Sequence, residues 1–178
     1  MTDVRIAISG KSGCGNTTVS RLLAERLGVT LINYTFRAMA DEEGVSFEEM
    51  CRRAEADDRW DRILDRRQVE RARRESCVLG SRLAAWLLTD ATLSVYLTAA
   101  PEVRAARIRQ REGGEFDAVL SATLERDRRD RERYRRLYDI DIDVWDHVDL
   151  VIETDDRSPE QIVERIVAEL TRRDAGRA

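Results

Sequence analysis

The chain contains few of the residues that bind zinc or form disulfides. Its 178 residues include one histidine, His147, and three cysteines, Cys14, Cys51 and Cys77, with no C-x-x-C spacing. A structural zinc site takes about four such ligands at short, regular spacings. We therefore expect no zinc site. Because three cysteines cannot all pair within one chain, we expect a protein of a reducing compartment.

Long apolar runs and a surplus of basic residues are absent too. The longest strongly apolar run, residues 83–88, is too short to cross a bilayer, and Met1-Thr2-Asp3 lacks the features of a signal peptide. Acidic residues outnumber lysine plus arginine by 35 to 31, a balance that argues against duplex-DNA binding. We expect a cytoplasmic monomer that acts on small molecules, without nucleic-acid or membrane partners.

The basic residues are almost all of one kind. Of the 31, only Lys11 is a lysine. Arginine ends in a planar fork, whereas lysine ends in a slim point charge on a flexible stem. Codon bias and chance could produce this imbalance. The alternative is that position 11 requires a thin cation in a crowded place, and the surrounding residues favour that interpretation.

Strand-like and helix-like patterns alternate along the chain. Apolar, β-branched alternation predicts strands at 4–8, 29–32, 77–80, 92–97 and 148–152. Helical spacing predicts helices at 17–27, 35–43, 46–56, 59–74, 83–88, 101–111 and 116–138, and a last one that starts at Ser158. Ser46 with Glu49, and Ser158 with Gln161, have the spacing of capping boxes. We predict a three-layer α/β fold, with a five-stranded parallel sheet and helices on both faces.

A glycine-rich segment joins the first strand to the first helix, with the spacing G-x-x-x-x-G-[K]-[ST] of a P-loop. Its residues are Gly10, Lys11, Ser12, Gly13, Cys14, Gly15, Asn16 and Thr17. Glycines let backbone N–H groups converge on phosphate oxygens, and the following helix points its positive end at them. The hydroxyl of Thr17 can bind Mg²⁺ that bridges two phosphates. Together with Thr18, the segment predicts an ATP site in a fold of the P-loop NTPase type.

The P-loop departs from the usual pattern at its seventh position. Asn16 stands where a lysine is expected, and an amide donates hydrogen bonds but carries no charge. We hypothesise that Lys11 curls over the loop and supplies the missing charge to the β- and γ-phosphates, with Asn16 on the same phosphates. The alternative is that Asn16 merely weakens nucleotide binding and that Lys11 is a surface residue.

Isolated arginines follow two of the predicted strands. Arg37 comes after the second strand and Arg82 after the third, at the edge where a parallel sheet binds ligands. Phosphoryl transfer needs two phosphates held in line with their charge neutralised. We expect both arginines to bind an anionic acceptor; a solvated surface position is the alternative for each.

Arginine is concentrated between residues 101 and 140, where 11 arginines stand among nine acids. Most of them fit an exposed helix with ion pairs between neighbouring turns. Arg107 and Arg111, however, share one predicted helix face with Arg104, and a double glycine after Arg111 provides a hinge. We expect a helical lid at about 104–138 that closes over the transferring phosphate, with Arg107 and Arg111 as catalytic residues.

Short segments over nearly the whole chain carry a family resemblance. They lie at residues 6–17, 36–40, 65–68, 78–84, 107–112, 133–134, 138–141 and 149–152. The chain resembles the cytidylate kinases of the short archaeal and spirochaetal type, within the P-loop nucleoside monophosphate kinases. The resemblance implies one kinase domain over residues 1–178, with NMP-binding helices at about 35–75. It also implies transfer of the γ-phosphoryl group of ATP, with Mg²⁺, to CMP or dCMP.

Residues 125–133 are similar to an E-R-D-x-R-D-R-x-R run of the larger bacterial cytidylate kinases. In those proteins the first arginine, the second aspartate and the last arginine face the nucleotides. The resemblance therefore implies substrate binding by Arg126, Asp130 and Arg133. Coincidence in a helix rich in arginine and aspartate is the alternative.

The resemblance also bears on base recognition and on the metal. It makes Asp65 and Arg66 candidates for recognition of the base. Gly80-Ser81 stands where many relatives carry an acid that holds the water shell of the metal. Mg²⁺ would then rest on Thr17, on the nucleotide phosphates and on water.

Three other functions stay open at this point. The chain could phosphorylate another nucleotide or a cofactor precursor, which a panel of acceptors would reveal. It could be a nucleotide-binding sensor with little transferase activity, as Asn16 and the missing acid after the third strand suggest. An RNA-binding helix is disfavoured by the acids that interleave the arginines of residues 101–140.

Overall fold

The computed structural model describes residues 4–176. Met1-Thr2-Asp3, the residues behind the expectation that there is no signal peptide, lie outside the described residues. The strands are β1 (Arg5–Gly10), β2 (Thr30–Ile32), β3 (Cys77–Gly80), β4 (Leu93–Thr98) and β5 (Leu150–Glu153). They form one parallel sheet in the order β2-β3-β1-β4-β5. All five predicted strands are confirmed, with boundaries that differ by no more than two residues.

Eight helices connect and cover the strands in the described part of the chain. They are α1 (Asn16–Leu27), α2 (Phe36–Glu43), α3 (Phe47–Ala56), α4 (Arg59–Ala72), α5 (Ala84–Leu87), α6 (Pro101–Glu112), α7 (Phe116–Tyr138) and α8 (Pro159–Ala175). Each predicted helix is present. No helix within residues 4–176 combines the length and the apolar character that crossing a membrane requires.

Both faces of the sheet are buried under helices. On one face, Leu23 of α1 and Ile166 of α8 belong to the same buried cluster as the side chains of β1 and β4. On the other face, Ala72 of α4 and Ala84 of α5 pack against Leu79 of β3. Burial on both sides explains why the strand sequences read as apolar runs. The predicted three-layer α/β fold is confirmed.

β1 occupies the centre of the sheet, between β3 and β4. In an open parallel sheet, ligands bind beyond the carboxyl ends of the strands, where the strand order reverses. The carboxyl end of β1, from which the glycine-rich loop departs, is such a position. The order of the strands therefore places the loop where this class of fold binds its ligand.

One local prediction is only half right. Ser158 and Gln161 form a complete capping box at α8. At α3, Ser46 accepts a hydrogen bond from the backbone N–H of Glu49 (3.1 Å), but the Glu49 carboxylate accepts one from Arg53 (3.0 Å) instead of turning back to the cap. The charged arginine donor outcompetes the neutral backbone N–H, because charge-assisted hydrogen bonds are the stronger kind.

Candidate active site

The loop between β1 and α1 has the conformation that its glycines allow. Gly13 has a φ of +83°, and a Cβ at that position would lie 2.8 Å from the backbone oxygen of Arg104. Gly15, with a φ of 95°, caps α1 without any side-chain hydrogen bond, as is also the case at the starts of α4, α5, α6 and α7. The first N–H groups of α1 are therefore left for an anion.

Two arginines of α6 bind backbone carbonyl groups of this loop. Arg104, which is 2% exposed, donates to the carbonyl of Ser12 (3.1 Å), and Arg107 donates to the carbonyl of Gly13 (3.4 Å). Arg104 is fixed in turn by two hydrogen bonds to the carboxylate of Asp127 on α7 (3.1 and 2.5 Å). Because C=O and the next N–H point in opposite directions across a trans peptide, fastening the Ser12 carbonyl turns the Gly13 N–H away from α6.

The two arginines predicted for the lid lie in different places. Arg107 donates to the hydroxyl and the carbonyl of Thr154 (2.9 and 2.6 Å), and so joins the loop after β5 to the P-loop. It is not among the residues that line the cavity of about 970 Å³ next to the P-loop. Arg111 does line that cavity, and its guanidinium pairs with Glu112 (2.5 Å). Catalytic roles for both stay predictions.

The side chain of Asn16 faces the protein. Its amide nitrogen donates to the carbonyls of Ile8 (3.0 Å) and Ser81 (3.2 Å), and its oxygen accepts from the hydroxyl of Ser20 (2.9 Å). Asn16 thus fastens the start of α1 to the ends of β1 and β3. The predicted contact between this amide and a phosphate stays a prediction.

Lys11 is held by two carboxylates that the sequence did not reveal. Its Nζ lies 2.5 Å from Asp143 and 3.9 Å from Asp127. Each acid also has an arginine partner: Arg104 for Asp127, and Arg131 for Asp143 (3.4 Å). Neither carboxylate therefore depends on Lys11 for its only positive partner.

A cavity of about 970 Å³ starts at the P-loop and runs past the end of β3 towards α4 and α7. Its charged lining consists of six basic side chains (Lys11, Arg82, Arg111, Arg126, Arg129 and Arg133) and four acidic ones (Asp61, Asp65, Glu112 and Asp130). The whole chain, in contrast, has a net charge of −4. The cavity is thus a positive region of a negative protein and attracts anions.

Most of the predicted site residues share this cavity. It is lined by Gly10, Lys11, Ser12, Gly13, Gly15, Asn16, Thr17, Thr18, Asp65, Arg82, Arg111, Arg126, Asp130 and Arg133. The thiol of Cys14 instead lies in the core, where burial raises its pKa. Arg37 stacks 4.4 Å from the centre of the Phe47 ring, and Arg66 pairs with Glu70 on the surface (3.8 Å). Substrate binding by these two arginines stays a prediction.

Three arginines at the far end of the cavity differ in their ion-pair partners. Arg82 forms an ion pair with Asp130, and Arg133 forms one with Asp61. Arg126 forms neither a hydrogen bond nor an ion pair with any residue between 4 and 176. Partial burial and the neighbouring charge of Arg82 lower the pKa of Arg126. An anion bound between Arg82 and Arg126 would relieve this repulsion.

Asp65 belongs to a polar network that the sequence revealed only in part. Its carboxylate accepts from the hydroxyl of Tyr138 (2.7 Å) and from the amide nitrogen of Gln68 (3.3 Å). Burial, with a smaller contribution from the negative charge of Asp61, raises the pKa of Asp65 to about 6. The spacing of Gln68, three residues after Asp65 on one helix, was the available signal for their contact.

These features define the class of protein. The P-loop kinases have a parallel sheet with a P-loop at its switch point, and a positive cavity lies beyond that loop. The solved structure of shikimate kinase from Bacteroides thetaiotaomicron has this fold, with a TM-score of 0.65 and 21% sequence identity. The similarity covers 94% of this chain and 98% of that one.

Sequence comparison identifies the family within this class. A model of the cytidylate kinase-like family matches residues 5–156. Cytidylate kinase 2 of Borreliella burgdorferi is 44% identical over 174 residues, which cover 96% of this chain and 97% of the relative. The cytidylate kinase of Archaeoglobus fulgidus is 39% identical over 167 residues, which cover 92% and 93%. The chain belongs to the cytidylate kinase-like family, and the resemblance inferred from its segments is confirmed.

The ionisation of Asp65 predicts a pH-dependent stability. Its pKa is higher in the folded protein than the ordinary 3.8, so the folded state binds this proton more tightly than the unfolded chain does. The stability from this proton is fully present below about pH 4 and is lost as the pH rises through about 6. Between pH 4 and pH 8, Asp65→Asn should therefore gain up to about 3 kcal/mol in unfolding free energy relative to the wild type.

Urea denaturation at a series of pH values measures this difference. Asp146→Asn, which removes an exposed carboxylate from the loop before β5, is the matched control for the loss of one negative charge. A constant difference between Asp65→Asn and the wild type over this pH range would show that Asp65 does not retain its proton as the structure requires.

Proposed function

We propose that the protein transfers the γ-phosphoryl group of ATP to CMP or dCMP and releases ADP and CDP (or dCDP). The observation that carries this proposal is one cavity with the P-loop at one end and Arg82, Arg126 and Arg133 at the other. Two phosphate-bearing substrates that react with each other need such an arrangement. The relatives named as cytidylate kinases support CMP as the acceptor.

ATP binds at the P-loop, and the backbone N–H groups there surround its β- and γ-phosphates. Lys11 leaves the carboxylates of Asp143 and Asp127 for the phosphates and supplies the charge that Asn16 lacks. This exchange costs little because Arg131 and Arg104 still neutralise the two acids. Asn16 supports the reaction by fastening the loop.

The kinase family generally uses Mg²⁺ with ATP, and the protein ligand proposed here is the hydroxyl of Thr17. Thr17 is exposed on the cavity wall, and its side chain makes no hydrogen bond with residues 4–176. No three His, Cys, Asp or Glu side chains in that range are grouped so that they could hold a metal ion. Phosphate oxygens and water would complete the ligand set. When bound, the ion neutralises part of the charge on the phosphates.

The acceptor phosphate binds at the arginine end of the cavity. Arg126 and Arg82 contact it most directly, because their mutual repulsion is the feature that an anion offsets. Arg133 contributes a further positive charge, and Asp130 is the candidate partner for a sugar hydroxyl or for the amino group of cytosine. Asp65, further along the same wall, faces the base.

In the reaction, an oxygen of the CMP phosphate attacks the γ-phosphorus while the bond to the β–γ bridging oxygen breaks. ADP leaves with the electron pair of that bond. The attacking oxygen is already anionic, so no general base is required. The protein positions the substrates and supplies positive charge. Lys11 contacts the phosphates of ATP, Arg111 of the lid lies over the transferring phosphoryl group, and Arg107 holds the P-loop in place.

We also propose that the protein works as a monomer in the cytoplasm. One chain lines the whole cavity, so the site is complete without a second copy. Cys14, Cys51 and Cys77 are free thiols, the state that a reducing compartment favours.

An assay of ADP release over a panel of nucleoside monophosphates tests the function. We expect turnover with CMP and dCMP, and a kcat/KM at least about tenfold lower with UMP, AMP and GMP. Product analysis must show one CDP for each ADP released. ATP binding without CDP formation would contradict the proposal and favour a nucleotide sensor.

Lys11 and Asn16 should respond differently to substitution by alanine. Lys11→Ala removes charge from the phosphates, and we expect kcat/KM for ATP to fall by about 100-fold with little change in thermal stability. Asn16→Ala removes the amide that donates to the carbonyls of Ile8 and Ser81 and accepts from the hydroxyl of Ser20, so it should lower the thermal midpoint as well. Lys11→Arg keeps the charge but brings the planar fork in place of the slim ammonium, so it should restore only part of the lost activity. A Lys11→Ala variant with normal activity would make Lys11 a surface residue.

A further inference from the structure

Gln68, a residue that lines the cavity, has a buried side-chain oxygen to which no residue between 4 and 176 donates. Gln68 of α4 is 2% exposed, and its Oε1 accepts no hydrogen bond from any residue between 4 and 176. A buried polar atom left in this state costs about 1–3 kcal/mol. Because Gln68 lines the cavity, a ligand that donates to Oε1 would account for its presence.

The orientation of this amide is fixed by its neighbour. The Nε2 of Gln68 donates to the carboxylate of Asp65 (3.3 Å). The reverse orientation would place Oε1 against that carboxylate, where two acceptors repel. The donor end of Gln68 is therefore used within the protein, and the acceptor end is left for a ligand.

The surrounding wall is rich in acceptors. Asp65 accepts from Tyr138 and Gln68, and Asp61 accepts from Arg133. The donors that face these carboxylates are thus already engaged with them. A ligand group that meets both the Oε1 of Gln68 and the carboxylate of Asp65 must donate hydrogen bonds, so at this point of the wall an exocyclic amine fits and a carbonyl oxygen does not.

We propose that Gln68 determines base specificity, its Oε1 accepting a hydrogen bond from the 4-amino group of cytosine. This inference rests on the proposed function and names the group that reads the base. Uracil carries a carbonyl oxygen at the same ring position. That oxygen would face Gln68 and Asp65 without a shared hydrogen, leaving buried acceptors unpaired on both sides.

Gln68→Met tests the proposal because methionine has a similar length and shape but no acceptor oxygen. We expect kcat/KM for CMP to fall by about 10- to 100-fold, mainly through KM. The value for UMP should stay constant or rise, so the preference for CMP over UMP should drop at least about tenfold. Arg71→Met, an exposed substitution on the same helix, is the matched control and should leave the preference unchanged.

Thermal unfolding separates this role from a structural one. In Gln68→Met, removal of the unpaired buried oxygen offsets the loss of the hydrogen bond from Nε2 to Asp65, so the midpoint without nucleotide should stay close to that of the wild type. The rise in midpoint on addition of CMP should shrink, whereas the rise on addition of ADP should not. A glutamine kept only for structure would give a lower midpoint and an unchanged response to CMP.

Gln68→Glu provides the second variant. It keeps an acceptor oxygen at this position, and when its other oxygen carries a proton it still donates to Asp65, so at about pH 6, near the pKa of Asp65, it should retain the preference for CMP. A folded Gln68→Met with the wild-type CMP to UMP ratio would overturn the proposal. If Gln68→Met does not fold, a folded Gln68→Glu that loses the preference for CMP over UMP would overturn the proposal as well. A wild-type protein that forms no CDP would instead overturn the proposed function itself.

Discussion

A loop can present its N–H groups to a cavity only if other parts of the protein hold its carbonyl groups. Here Arg104 and Arg107 bind the carbonyls of Ser12 and Gly13 from the α6 side, and Asn16 fastens the start of α1 to the neighbouring strands. The direction of each carbonyl sets the direction of the next N–H. The loop is thus organised for phosphate before a nucleotide arrives, and positioning is most of what phosphoryl transfer requires of a protein.

The distribution of charge follows the same principle. Lys11 forms an ion pair with Asp143, and Arg82 forms one with Asp130. Most arginines of α7 likewise form ion pairs with nearby acids. These pairs keep the cations in place at low cost, since a phosphate that replaces a carboxylate changes only the anion. Arg126 is the exception: no residue in the described part of the chain pairs with it, and this marks the position where we expect the acceptor phosphate.

Much of the fold could be predicted from the sequence because strand alternation, helix periodicity and the P-loop spacing are local patterns. Contacts between distant segments could not. Nothing in the sequence shows that Lys11 meets Asp143, or that Arg107 turns to Thr154 instead of the cavity, since both depend on how α6 and the loop before β5 pack. Gln68 lay within a segment that carried the family resemblance, but only the orientation of its amide reveals an acceptor without a partner.

The most direct test is a structure of the protein with a non-hydrolysable ATP analogue, Mg²⁺ and CMP. We expect the backbone nitrogens of residues 12–17 to lie within hydrogen-bond distance of the β- and γ-phosphates. Lys11 should have moved from Asp143 to a phosphate oxygen, and the CMP phosphate should lie between Arg82 and Arg126. Phosphates bound elsewhere, or Lys11 still paired with Asp143 beside the bound analogue, would contradict the account.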